Sequence, residues 1–139
     1  MEAISRRSAL AASLGAAATP TLMLPVAALA RTYGPTEGKE IAPGVRLVDL
    51  GTRESTIPAY KTIALADVIF QPGKAFPETP MESDMVCHVP QGELLIKKGE
   101  KQFTVKEGDV YSCTKDEKEG ATNTGSTVAI MRVIYLRTA

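Results

Sequence analysis

The chain has 139 residues, 16 of them basic and 16 acidic, and a formal net charge of zero. That balance excludes a general electrostatic pull toward nucleic acid or an anionic membrane surface. The lack of Trp and the 5% aromatic content exclude a base-stacking platform, and the length suits one hydrophobic core rather than two.

In chain order, residues 1–30 read as a signal segment. Residues 1–7 are short and basic and contain Ser5, Arg6 and Arg7; residues 9–30 are apolar and Ala-rich; Ala28, Leu29 and Ala30 form a small-x-small cleavage site before Arg31. This is the layout of a secretory leader, and the paired arginines followed by Ser8, Ala9 and Leu10 resemble the bacterial twin-arginine motif. The alternative is a retained membrane anchor, which Pro20 and Pro25 disfavour as a spanning helix. The expectation is an exported, periplasmic bacterial protein with no membrane attachment after cleavage.

Residues 31–43 hold Gly34, Pro35, Gly38 and Pro43 without apolar periodicity, and read as an arm or linker. The domain expected over 44–139 begins with a β-prone run at 45–50 and a longer one at 61–70, closed by Gln71, Pro72 and Gly73. Runs at 85–89, 93–98, 102–106, 110–114 and 127–137 follow, separated by Gly and Pro turn signals. Residues 93–98 and 101–105 form a hairpin around Gly99. Short strands at this spacing predict an all-β sandwich or barrel, and no stretch carries a helical period or a repeat.

Two segments carry a resemblance. Gly73 and Gly92 keep the spacing of a motif written Gly, five residues, His-x-His, three residues, Glu, six residues, Gly, with Thr79, Met81 and Met85 at the His, His and Glu positions. Gly108 and Asn123 keep the spacing of Gly, five residues, Pro-x-Gly, two residues, His, three residues, Asn, with Thr114, Asp116 and Glu119 at the Pro, Gly and His positions. Over residues 45–137 the chain resembles the cupin superfamily. The resemblance implies a single jelly-roll β-barrel, with a homodimer formed through edge strands. It argues against the usual metal, which imidazoles and a carboxylate hold, and His88 is the one histidine of the chain. No cofactor is expected.

The frame makes Thr79, Met81, Met85, Cys87, Glu119 and Asn123 candidate pocket residues. Alternation puts Met85, Cys87 and Val89 on one strand face and Val86 and His88 on the other. His88 is therefore expected outside, unable to pair with Cys87. Met81, Met85 and Cys87 also allow a soft-metal, Cu(I)-type reading beside the simpler one of apolar lining. Cys87 and Cys113, the only cysteines, could bridge in an oxidising compartment or stay as buried thiols. The charge run 115–119 reads as a solvated loop, from which Glu119 stands apart as the candidate acid or base.

Three functions follow as expectations. The foremost is an exported binding module for a small molecule or a partner. The others are a metal-independent isomerase or lyase that uses Glu119, and a copper-binding protein that uses Met81, Met85 and Cys87. Fold alone names no reaction.

Overall fold

The computed structural model describes residues 32–139, so the signal reading of residues 1–30 lies outside the described residues. Ten strands follow one another: β1 (Lys39–Ala42), β2 (Val45–Glu54), β3 (Thr62–Phe70), β4 (Ala75–Pro80), β5 (Asp84–Gln91), β6 (Glu93–Lys98), β7 (Lys101–Lys106), β8 (Val110–Cys113), β9 (Lys118–Thr122) and β10 (Ala129–Arg137). They form a six-stranded sheet in the order β1-β2-β3-β10-β5-β8 and a four-stranded sheet in the order β4-β9-β6-β7. Every pairing is antiparallel. The jelly-roll barrel expected from the sequence is present, and no helix occurs among the described residues.

Period-2 patterning sets what faces inward. On β3, Ala64, Ala66, Val68 and Phe70 point into the barrel, while Ile63, Leu65, Asp67 and Ile69 point outward. β10 lies beside it, with Phe70 opposite Ala129, Val68 opposite Met131, Ala66 opposite Val133 and Ala64 opposite Tyr135. On the outer face the Asp67 carboxylate, 1% exposed, receives two 2.8 Å bonds from Arg132, which compensates an otherwise costly buried charge.

One end of the barrel is packed shut. Val45, Phe70, Val89, Leu94, Ile96 and Ala129 meet there, each at most 2% exposed, and burial of each large member stabilises by roughly 1.5–3 kcal/mol. Gly92 seals a corner: its φ is +81° and a Cβ there would lie 2.8 Å from the Ala129 Cα, so both conformation and space demand glycine. Asn123 holds the same end. Its Nδ2 donates to the Phe70 and Thr127 carbonyls at 3.0 and 2.8 Å, and its Oδ1 accepts from the Gly125 N–H at 2.9 Å. Asn123, expected in the ligand pocket, is thus corrected to a fully bonded brace between β3 and the β9–β10 turn.

Three strands escaped the reading of the sequence. β1 occupies residues 39–42 of the stretch read as an arm and pairs with β2. β4 carries Pro77 and Pro80, which discourage a strand assignment, yet it lies at a sheet edge where the missing N–H groups are tolerated. β9 begins inside the charge run read as a loop. Lys118 is exposed but Glu119, Gly120 and Ala121 are buried, because β9 is a central strand between β4 and β6.

Cys87 and Cys113 are both free and buried, which corrects the bridge considered from sequence. β5 and β8 pair with Cys87 opposite Tyr111 and Met85 opposite Cys113. The cysteines are diagonal neighbours, about 7–8 Å apart in an antiparallel pair, too far for an unstrained bridge.

Candidate functional site

The open end of the barrel holds a cavity of about 400 Å3, within the range of small-ligand sites. β2, β3, β5 and β10 supply one wall, and β4, β9 and the β4–β5 loop supply the other. The space comes from the sequence of β3. Its inward residues at this level are Ala64 and Ala66, whose methyl groups stop short of the barrel axis, whereas Val68 and Phe70 below them fill it. A bulge on β2 between Asp49 and Gly51 then turns both Asp49 and Thr52 toward the cavity. On the far wall Gly120 lets β9 approach β4, since a Cβ there would lie 2.9 Å from the Glu78 nitrogen.

Four of the six pocket residues expected from sequence converge here: Thr79, Met81, Met85 and Glu119 all line the cavity. Thr79 stands opposite Glu119 across the β4–β9 pairing. Cys87 and Asn123 do not reach the wall. Cys87 points inward as alternation requires, but it is fully buried in the core. His88 lies on the opposite face of β5 from Cys87, so no thiolate–imidazole pair forms. Alternation gives the face of a residue, not its depth along the barrel, and depth is what excluded Cys87 and Asn123.

Glu119 is the chemical centre of the site. The residue is 5% exposed. The Tyr111 hydroxyl donates to its Oε2 at 2.6 Å and lies 3.4 Å from the Met131 Sδ. Its Oε1 is buried and has no hydrogen-bond partner among the described residues. The nearest cross-strand hydroxyl gives no help, because Thr79 donates its proton to the Pro77 carbonyl at 2.8 Å. A buried acceptor left without a donor costs roughly 1–3 kcal/mol, and this one belongs to a residue that lines the cavity.

The groups behind Glu119 are held in their neutral forms. Burial, with the Cys87 and Glu119 charges and the bond to Glu119, pushes the Tyr111 hydroxyl far above the ordinary tyrosine range. Burial and the Glu119 charge push the Cys87 thiol up to about 12. Cys113 is raised by burial and by donating its Sγ–H to Glu117 Oε1 at 3.2 Å. None of the three is a nucleophile near neutral pH. Around the mouth, Asp84 ties two loops together: its Oδ2 accepts from the Tyr60 hydroxyl at 2.7 Å and its Oδ1 from the Lys115 N–H at 2.8 Å.

Tyr111, Met131 and Tyr135 were not singled out from sequence. The inward phase of β10, read as Ala129, Met131, Val133, Tyr135 and Arg137, was the signal that finds two of them. Tyr111 follows from Cys113 two positions on.

No family model and no curated protein matches the chain. Solved structures do. A cupin superfamily protein from Desulfitobacterium hafniense aligns at 19% identity over 73% of this chain and 83% of its own, with a TM-score of 0.55. An RmlC-like cupin from Shewanella frigidimarina aligns at 16% identity over 78% and 89%, with a TM-score of 0.58. An RmlC-like cupin with a double-stranded β-helix fold from Methanocaldococcus jannaschii aligns at 16% over 73% and 88%, with a TM-score of 0.56. The chain has the cupin fold.

The cupin frame also explains one backbone detail. Asp116, at the frame's second glycine position, has a φ of +73°, the left-handed region that the replaced glycine would occupy freely. The donor set does not fit the metal that the frame usually holds. One hydroxyl, two thioethers and one carboxylate line the cavity where imidazoles and a carboxylate would stand, a poor set for Fe, Mn, Zn or Ni. Among the described residues no group of three or more His, Cys, Asp or Glu side chains is placed to hold a metal ion. The soft-metal trio is also divided, since Met81 and Met85 line the cavity and Cys87 does not.

Proposed function

We propose that the barrel is an exported, metal-independent binding module for a small molecule with an apolar body and a hydrogen-bond-donating end. The observation that carries this reading is the unpartnered Glu119 Oε1 on the wall of a cavity otherwise lined largely by Ala64, Ala66, Phe76, Met81, Met85, Met131 and Val133. Apolar burial supplies affinity and the Glu119 acceptor fixes orientation, which is the usual division of labour in small-molecule sites. Export rests on the basic, apolar and Ala28-Leu29-Ala30 pattern of residues 1–30.

The same oxygen supports a second reading, in which Glu119 acts as a general base in a metal-independent isomerase or lyase. A base needs one oxygen free toward substrate, and the bond from Tyr111 to Oε2 holds the carboxylate in orientation. Binding is the simpler function, because the other cavity-lining groups contribute mainly apolar surface.

The test is a thermal-shift screen of small apolar compounds that carry a hydrogen-bond-donating end, run on the wild type and on Ala66→Leu. A ligand that binds the native state at 100 times its Kd stabilises by about 2.7 kcal/mol. Compounds should raise the Tm of the wild type and not of the filled-cavity variant. Equal responses from the two proteins would reject the cavity as the site. For export, the mass of the protein recovered from the periplasm should correspond to a chain starting at Arg31.

A further inference from the structure

We infer that the cavity ligand is an organic ammonium, a primary amine on an apolar body. This inference rests on the binding reading above and names the ligand's polar end. Four charged side chains line the cavity: Asp49, Glu82, Glu119 and Arg137. Three carboxylates against one guanidinium leave the lining negative. The guanidinium is also turned to another task, since it lies over the Tyr135 ring at 5.0 Å from its centroid, where the ring face attracts it. It is at the last residue of β10, the far end of that strand from the packed core.

The deep end of the cavity offers acceptors. Glu119 Oε1 has no donor. Thr79, which lines the same cavity, has already given its hydroxyl proton to the Pro77 carbonyl, which leaves its oxygen able only to accept. The Tyr111 hydroxyl proton is committed to Glu119 Oε2. A ligand must therefore bring donors. An alcohol brings one and no charge, and a carboxylate brings none and adds a like charge. An ammonium brings three donors and the positive charge that a buried carboxylate lacks. The bond to Oε1 would be charge-assisted, roughly twice as strong as a neutral one. Apolar walls at Met81, Met85 and Ala66 receive the body of the molecule. No covalent step is involved.

The experiment compares three probes that share a phenylethyl body by titration calorimetry at neutral pH: 2-phenylethylamine, 2-phenylethanol and 3-phenylpropanoate. The wild type should bind the amine at least ~10-fold more tightly than the alcohol, a difference of about 1.4 kcal/mol, with the carboxylate weakest. In Glu119→Gln the amine should fall to within about threefold of the alcohol, while the alcohol changes little. Ala66→Leu should weaken both, which ties the binding to the cavity. If the alcohol or the carboxylate equals the amine on the wild type, the ammonium assignment is overturned and the binding reading stands. If none of the three binds, or if Ala66→Leu binds the amine undiminished, the binding reading fails as well.

Discussion

The Tyr111 hydroxyl sits 2.6 Å from one carboxylate oxygen of Glu119, and the other oxygen of the same carboxylate has no hydrogen-bond partner among the described residues. β8 and β9 belong to different sheets, so this bond spans the barrel. It fixes the orientation of the Glu119 carboxylate beside the cavity. Tyr111→Phe should destabilise the protein by about 1–3 kcal/mol in urea titrations, since it leaves both oxygens of a buried carboxylate unbonded. Adding Glu119→Met should recover much of that loss, because an apolar pair needs no donor. A double variant as unstable as the single one would show that the bond is not the cause.

The cysteines should behave as two inert thiols. With Cys87 near 12, about one thiol in ten thousand is ionised at pH 8. Ellman's reagent should find no fast-reacting thiol in the native protein and two after unfolding in guanidinium without reductant. Recovery of no thiols under the second condition would establish a bridge and contradict the observed register of β5 and β8.

Asp84 makes stability depend on acid. The Lys115 N–H and the Tyr60 hydroxyl hold its carboxyl below the ordinary aspartate value of 3.8. A depressed value in the folded state means that its contribution is complete above the ordinary value and fades as pH falls through the folded one. Wild type should therefore melt above Asp84→Asn near pH 6, and the gap between the two Tm values should close as pH falls below 3.8. A gap that stays constant from pH 6 to pH 2 would remove the charge from the explanation.

Asp116 pays a backbone cost that glycine would avoid. Asp116→Gly should raise stability by about 0.5–1 kcal/mol, as relief of the left-handed strain exceeds the added freedom of the unfolded chain. The Asp116 N–H donates to the Met81 carbonyl at 2.7 Å, and this bond survives the substitution. A lower urea midpoint for the variant would show that the side chain has a role of its own.

The sequence made the barrel and much of its site legible for one physical reason. Spacing between tight turns survives when the side chains between them change. The glycine frame thus located Thr79, Met81, Met85 and Glu119 on one cavity, although none is the residue the frame usually carries. It failed where identity misled. Asn123 looked like a pocket group because it is the residue the frame carries at that position, but its amide is consumed by Phe70, Thr127 and Gly125. Pro77, Pro80 and the charges at 115–119 hid β4 and β9, because edge position and sheet order decide whether such residues are tolerated, and neither is written locally. Tyr111 was hidden because its value lies in a partner from the other sheet.

The two alanines of β3 have a consequence for how this site can change. Ala64 and Ala66 determine the room, from one sheet; Glu119 determines the polarity, from the other. Size and chemistry are thus under separate genetic control. Exchanging a methyl for an isopropyl group on β3 would reject larger guests without altering which end group is preferred, and an isosteric replacement of Glu119 would remove that preference without altering the room. A container divided in this way can be retuned one substitution at a time.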